Sequence, residues 1–140
     1  MKKVINVLII DDNEIDRMIV ISLIRHVFDH TNLFESKNGI EALNFLRTAQ
    51  IDFPYLIFVD INMPIMNGFK FVERYEALYW QKYPQSLVYF ISSSNNPEDI
   101  AKAKEFPSVT DYFIKPFDLS KAKKLWTSFF DSHKSDKANQ

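Results

Sequence analysis

Cysteine is absent from this 140-residue sequence, and so is any long apolar run. Without cysteine the chain has no disulfide, no thiolate metal ligand and no thiol nucleophile. No stretch approaches the roughly 20 apolar residues of a membrane-spanning helix. The N-terminus carries one short apolar run that ends in two aspartates, which is too short and too acidic for a signal peptide. These absences predict a cytoplasmic protein without a membrane partner.

A strong charge of either sign is also absent, because the formal net charge is -1 at pH 7. No overall field therefore recruits nucleic acid, and we expect no DNA partner. The apolar fraction is 46%, which is ordinary for a globular protein. A chain of this length suffices for one domain with a full core. We predict that this domain spans residues 1–131 and that a flexible polar tail follows over 132–140.

Short apolar runs alternate with segments of helical periodicity along the chain. The predicted strands cover residues 4–10, 33–36, 55–60, 87–91 and 109–114, and the predicted helices cover about 14–29, 40–49, 67–82, a segment from 97, and 119–131. This alternation with short connections predicts an α/β fold, a doubly wound five-stranded parallel sheet between two layers of helices. Right-handed crossovers favour the strand order 2-1-3-4-5 of flavodoxin-like (βα)5 folds.

The first predicted helix has more apolar residues than its core face needs. The predicted core stripe contains Ile19, Val20, Leu23, Ile24 and Val27. Ile15 and Met18 lie off that stripe, side by side at a spacing of three residues. They are either buried against the last helix or exposed as a docking patch for a partner, and the pattern leaves both readings open.

Polar side chains follow four of the predicted strands at the point where each strand ends. They are Asp11, Asp12, Asp60, Ser92 and Lys115. The Asp60 segment is typical of a strand followed by a loop, since Pro64 and Asn67-Gly68 come next. In the predicted order these four strands are neighbours, so we expect the five side chains to meet at one edge of the sheet.

Three carboxylates at one site repel each other unless one stays protonated or a cation binds. An oxygen-rich cluster without histidine or cysteine suits Mg²⁺, for which Mn²⁺ can substitute. Lys115 adds a positive charge and Ser92 adds a hydroxyl donor. This combination suits a phosphoryl group held beside a carboxylate, with Asp60 as the nucleophile.

The motifs at these strand ends also occur in a familiar order. They are Asp11-Asp12, Asp60-Ile61-Asn62-Met63-Pro64 with Asn67-Gly68, Ser92-Ser93, and Lys115-Pro116-Phe117. Over residues 4 to about 131 the chain resembles the receiver domain of two-component response regulators. The resemblance implies that Asp60 takes a phosphoryl group from a phosphohistidine on a sensor histidine kinase or a histidine phosphotransfer protein. Because the first helix of receivers meets such partners, Ile15 and Met18 become candidate docking residues.

The same resemblance implies a set of metal ligands. Asp12, Asp60 and the main-chain carbonyl of Asn62 are expected to hold Mg²⁺, and Asp11 is expected to act through water. Asn62 and Ser94 flank the phosphoryl site, two residues past Asp60 and Ser92 respectively. Both are small and polar, so we expect water to enter and the acyl phosphate to be short-lived.

The remaining implied roles concern a switch. Lys115 pairs with the phosphate, Ser92 swings to bond a phosphate oxygen, and Tyr112 turns into the space that Ser92 leaves. The surface of the fourth helix, fifth strand and fifth helix then changes, and a downstream protein reads it. Ser92 is chosen from the serine run 92–94 because the apolar strand ends just before it.

No helix-turn-helix, enzyme motif or zinc pattern follows the fifth helix, so the chain resembles a stand-alone receiver that catalyses its own phosphorylation and dephosphorylation and nothing else. We expect a monomer, and dimerisation on phosphorylation is left open. One alternative is an interaction module that is never phosphorylated. Another is a phosphatase with an aspartyl nucleophile, but it needs an acid two residues beyond Asp60, where Asn62 stands.

Aromatic residues gather near the end of the third predicted helix, at Tyr79, Trp80 and Tyr83. They form either a partner surface or a packing contact with a neighbouring loop, and the sequence does not decide between the two.

Overall fold

The computed structural model of the protein describes residues 4–48, 53–54 and 56–138, with side chains through residue 130. In chain order the elements are β1 (Ile5–Ile10), α1 (Glu14–Val27), β2 (Thr31–Ser36), α2 (Gly39–Thr48), β3 (Leu56–Val59), α3 (Gly68–Tyr75), a π-helical turn (Glu76–Trp80), β4 (Leu87–Ser92), α4 (Pro97–Glu105), β5 (Val109–Ile114) and α5 (Leu119–Ala138). The predicted alternation of strands and helices is confirmed. Tyr55, the predicted first residue of the third strand, lies outside the described residues.

The five strands form one parallel sheet in the order β2-β1-β3-β4-β5, which confirms the predicted topology. The inner strands are buried on both faces because successive side chains point to opposite sides. Helices α2, α3 and α4 pack on one face, and α1 and α5 pack on the other. The carboxyl ends of all the strands therefore share one edge, where loops leave the sheet.

Helix α1 turns most of its predicted stripe to the core, because Val20 and Ile24 are buried and Leu23 and Val27 are partly buried against the same cluster. Asn13 caps it, and its side chain accepts from the Asp16 amide. The buried side chains are Arg17, Val20 and Ile24, which follow i, i+3, i+7. Ile19 was expected in the core but is 40% exposed, so that prediction is wrong. Ile19 lies at the edge of the stripe, whereas Arg17 takes an inward position on the other side of Val20.

The third and fifth helices also depart from their predicted ends. Helix α3 passes into a π-helical turn at Glu76, which lets Tyr79 and Trp80 pack against the core. The Tyr83 ring stacks on Phe53 with centroids 4.0 Å apart, so the packing interpretation of these aromatics is confirmed. Helix α5 was expected to end at 131 but continues to Ala138, because no glycine or proline interrupts it. In the described part of the chain, no helix has the length and apolar character that a bilayer crossing requires.

The loop between β3 and α3 is folded tightly against the end of β3. The Met66 amide donates to the Pro64 carbonyl at 2.7 Å, which closes a γ-turn around Ile65 with its φ at 70°. The Gly68 amide donates to the Ile61 carbonyl at 2.8 Å. A Cβ at Gly68 would lie 2.1 Å from the Asp60 carbonyl oxygen. A side chain at this position is therefore excluded by the backbone that carries Asp60.

We expect Gly68→Ala to lower the free energy of unfolding by about 1–3 kcal/mol, because the new methyl group forces the Asp60 backbone to move. Urea denaturation measures the change. Gly39→Ala is the matched control, because Gly39 also begins a helix but its Cβ would meet the flexible Met66 side chain. An equal loss of stability in the two variants would show that the close approach to the Asp60 backbone does not decide the outcome.

Candidate functional site

Two strand ends bring three acidic side chains together at the carboxyl edge of the sheet. Asp11 and Asp12 follow β1, and Asp60 follows β3, the neighbouring strand. One carboxylate oxygen from each residue lies within 4.8 Å of the others. Asp11 and Asp60 are buried, whereas Asp12 is exposed and leaves the cluster open to solvent on one side. The predicted meeting of these carboxylates is confirmed.

Lys115 enters the same cluster from the end of β5. Its Nζ donates to Asp11 Oδ2 at 2.8 Å and to Asp60 Oδ2 at 3.0 Å. A third bond, also 2.8 Å long, reaches Asp16 Oδ2 on α1. An ammonium group has three N–H donors, and here each of them has a carboxylate acceptor. The peptide bond between Lys115 and Pro116 is cis.

Burial and hydrogen bonding set the protonation of this cluster. Burial raises the pKa of the Asp11 carboxyl above its ordinary value, against the opposing hydrogen bonds from Lys115 and from the Asn13 amide. The Asp60 charge raises the pKa of Asp11 further. Burial alone would lower the pKa of Lys115, but its hydrogen bonds to the three carboxylates outweigh that and raise it. The ammonium form of Lys115 is therefore favoured at neutral pH.

The Asp60 carboxylate is held at both oxygens. Oδ1 accepts from the Ile61 amide at 2.7 Å, and Oδ2 accepts from Lys115 at 3.0 Å. The residue is 7% exposed, so the carboxylate is reached from the open side of the cluster near Asp12. A fixed carboxylate with one accessible side is what attack on a phosphorus atom requires.

A buried arginine supports the floor of the site, and the sequence patterns did not indicate it. Arg17 donates from Nη1 to the Asp11 carbonyl at 2.8 Å and from Nε to Glu35 Oε1 at 2.9 Å. It thereby ties the end of β1 to the edge strand β2. Arginine on a helix is exposed in most proteins, so periodicity offered no signal for this role. The sequence patterns did not indicate the contact of Asp16 with Lys115 either.

The predicted switch residues lie next to each other at the end of β4 and on β5. Ser92 is fully buried, and its Oγ accepts from the Ser94 amide at 3.3 Å. The Ser94 hydroxyl donates to Asp99 Oδ2 at 2.6 Å on the first turn of α4. Tyr112 donates to the Ser94 carbonyl at 2.8 Å, and its ring already points inward, 6.1 Å from that of Phe90. Ser94 thus joins the switch candidates to α4.

The remaining candidates lie on exposed parts of the same edge. Asn62 is exposed in the loop two residues past Asp60, so its proposed effects on metal and water stay predictions. Ile15 is 68% exposed and Met18 is 60% exposed. These two side chains are therefore not buried against α5, the alternative that the sequence left open. Exposure makes them available for docking but does not test it.

The residues present suit a magnesium ion. Its preferred ligands are carboxylate, carbonyl and water oxygens, and the cluster offers carboxylates from Asp11, Asp12 and Asp60 within reach of one another. Lys115 offsets only part of their charge. A divalent cation on the open side would offset the rest, and Asp12 and Asp60 are placed to hold it.

Comparison with known protein families decides the classification. The family model described as "Response regulator receiver domain" matches residues 7–126. The chain belongs to this family. Receiver domains are signalling domains of two-component systems that histidine kinases phosphorylate, and they bind Mg²⁺ through an acidic pocket.

Curated relatives of this receiver domain differ in length. The sensory transduction protein LytR of Streptococcus mutans is 32% identical over 130 residues, which cover 86% of this chain and 49% of that protein. A chemotaxis protein CheY homologue of Campylobacter jejuni is 29% identical over 110 residues, covering 79% of this chain and 80% of that protein. The chain therefore spans about half of the first relative and most of the second.

A solved structure supports the same fold. The two-component response regulator from Cytophaga hutchinsonii is 29% identical and superimposes with a TM-score of 0.78, covering 93% of this chain and 99% of that one.

We expect Mg²⁺ to stabilise this receiver domain, because the ion relieves the repulsion among Asp11, Asp12 and Asp60. At 100 times its dissociation constant, the gain is about 2.7 kcal/mol. Thermal or urea unfolding with and without Mg²⁺ measures it. Asp12→Asn should reduce the gain sharply, whereas Glu14→Gln, an exposed charge change on the next helix, should leave it intact. An equal gain in wild type and Asp12→Asn would place the ion elsewhere.

Proposed function

We propose that this receiver domain accepts a phosphoryl group on Asp60 from the phosphohistidine of a sensor histidine kinase or a histidine phosphotransfer protein. Signalling then proceeds by protein–protein contact or by onward phosphotransfer. The observation that carries the proposal is the contact of Lys115 Nζ with Asp60 Oδ2, beside a cluster suited to Mg²⁺. Asp60, the nucleophile, and Lys115, the cation that receives phosphate, are thereby side by side.

The reaction is an in-line displacement at phosphorus. A bond forms between an Asp60 oxygen and the phosphorus atom while the bond from phosphorus to the histidine nitrogen breaks. The electron pair of that bond returns to the imidazole, which leaves with a proton from solvent. Bound Mg²⁺ supplies charge neutralisation at the phosphoryl oxygens. The chain itself fixes Asp60 through the Ile61 amide and presents the Lys115 ammonium to the incoming oxygens.

Transmission of the signal follows from the contacts of Ser94. A phosphoryl oxygen that captures the Ser92 hydroxyl draws Ser92 away from the Ser94 amide. Ser94 is bonded in turn to Asp99 on α4 and to Tyr112 on β5. A shift at Ser92 is therefore passed to α4 and β5, and we infer that the surface of α4, β5 and α5 is what the downstream protein reads.

The central test is phosphorylation by acetyl phosphate. The wild-type protein should gain the mass of one phosphoryl group in the presence of Mg²⁺ and far less in its absence. Asp60→Ala should gain none, because the acceptor oxygen is gone. Intact-mass spectrometry measures the uptake. A wild-type protein that stays unmodified with Mg²⁺ would instead favour an interaction module that works without phosphorylation.

Docking of the phosphodonor is proposed to use Ile15 and Met18, whose side chains form an exposed apolar pair beside the site. The double variant Ile15→Glu, Met18→Glu should slow transfer from the cognate histidine partner at least tenfold, because each charge would be buried in the interface. Labelling by acetyl phosphate should be unchanged. Radiolabel transfer measures both rates.

Leu78→Glu is the control for this docking experiment. Leu78 is 59% exposed and lies on the opposite face of the sheet, after α3. It should not alter either rate. If the double variant slows both donors together, the change has damaged the site itself, and the docking proposal fails.

The lifetime of the acyl phosphate is proposed to depend on water access past Asn62 and Ser94. Asn62 is the sharper position to test, since Ser94 also holds α4 through Asp99. Asn62→Phe should lengthen the half-life several-fold by blocking water, and Asn62→Ala should not. Loss of label after removal of the donor measures it. If the half-life does not change with the size of the side chain at position 62, Asn62 does not control water access to the acyl phosphate.

A further inference from the structure

Asp16 makes a contact that none of the roles above requires. Its Oδ2 lies 2.8 Å from Lys115 Nζ, as close as Asp11 Oδ2 and closer than Asp60 Oδ2 at 3.0 Å. The carboxylate reaches the ammonium from α1, whereas the other two acceptors come from strand ends. Lys115 is thus held by one helix and two strands.

The first turn of α1 holds Asp16 in this position. The Asp16 amide donates to the Asn13 side chain at 3.0 Å, and Asn13 itself is tied to Asp11 Oδ1 through its own amide at 2.9 Å. The helix start is therefore anchored to Asp11 of the site. The Asp16 side chain is 33% exposed, and its carboxylate is directed at Lys115.

The three carboxylate acceptors of Lys115 cease to be equivalent when Asp60 becomes an acyl phosphate. A carboxylate that carries a phosphoryl group has lost its negative charge, so Asp60 becomes a weak acceptor. The N–H of Lys115 that was bonded to Asp60 is then free to bond elsewhere. Asp11 and Asp16 keep their charges and their bonds. We propose that Asp16 is a positioning residue that, together with Asp11, keeps Lys115 Nζ at the site while its third N–H passes from Asp60 to a phosphoryl oxygen.

This inference rests on the proposed function and deepens it. An ammonium group that is already in position needs no reorganisation when the phosphoryl oxygens arrive. It therefore stabilises the transition state and raises the maximal rate. Binding of the anionic donor is affected differently, because the negative charge of Asp16 repels the donor and weakens its binding. Removing this charge should lower the KM for acetyl phosphate while it also lowers the maximal rate.

A substitution at Glu14 distinguishes the positioning effect of Asp16 from the effect of its negative charge alone. Glu14 lies on the same first turn of α1, carries the same charge and is exposed. The contact with Lys115 is made by Asp16, two residues further along. Glu14→Gln therefore removes one negative charge near the site without touching the ammonium, and it should leave the maximal rate unchanged.

The experiment measures the initial rate of phosphorylation against acetyl phosphate concentration at fixed Mg²⁺ and ionic strength. Asp16→Ala should lower the maximal rate about fivefold, which corresponds to losing one partly exposed charged contact. Asp16→Asn, which keeps the shape of the side chain and an acceptor oxygen, should lie between wild type and Asp16→Ala. Thermal unfolding confirms that each variant is folded.

The decisive comparison is a double-mutant cycle with Lys115→Ala. If Asp16 acts through Lys115, Asp16→Ala should cause no further loss in the Lys115→Ala background. Affinity for beryllofluoride, a mimic of the acyl phosphate, gives a second readout of the same cycle at equilibrium. That affinity should weaken with Asp16→Ala when Lys115 is present and should not weaken when Lys115 is absent.

Two results would overturn the inference. One is an unchanged maximal rate in Asp16→Ala, and the other is an equal loss in both backgrounds, which would indicate a purely structural role. In either case the wild type still takes up phosphate and the proposed function stands. A wild type that takes up none with Mg²⁺ removes the proposed function, and this inference with it.

Discussion

The Lys115 ammonium group offsets the electrostatic repulsion among the carboxylates of the site. Asp11 and Asp60 are buried and close together, and two buried like charges without a partner would destabilise the fold. One cation shared among the carboxylates offsets this, since its three donors match three acceptors. The site nevertheless keeps an excess of negative charge on its open side, beside Asp12. That excess is what suits it to a divalent ion and, through the ion, to phosphate.

Much of this arrangement follows from a simple property of parallel sheets. Strand ends could be predicted from the sequence because the inner strands are continuous apolar runs that stop at a charge or a serine. The strand order then brought Asp60 and Lys115 to one edge. Periodicity failed where a polar residue faces the core: Arg17 is buried on α1, whereas the apolar Ile19 is 40% exposed. The contact of Asp16 was hidden for a related reason, because an acid in a first turn is explained by the helix dipole alone.

Hydrogen bonds in the structure connect two proposed roles that the sequence patterns treated separately. Ser94 was considered for its effect on water near the phosphoryl group, yet its hydroxyl and carbonyl are bonded to Asp99 and Tyr112. A residue with these partners couples the site to α4 and β5 by direct hydrogen bonds. Such coupling depends on backbone geometry at the end of β4, which neither composition nor spacing encodes. The π-helical turn after α3 escaped prediction likewise, because tertiary packing of aromatic rings decides it.

Asp11 and Lys115 stand 104 positions apart in the chain, yet their side chains are 2.8 Å apart in the fold. During biosynthesis the acidic ends of β1 and β3 leave the ribosome well before the lysine does. A nascent chain that has been synthesised only as far as β4 contains the carboxylates that repel each other but not the Lys115 ammonium group that offsets their charge. The site can therefore form only after the residue that follows β5 has been synthesised, and a chain that stops short of β5 has no ammonium group to place beside Asp60.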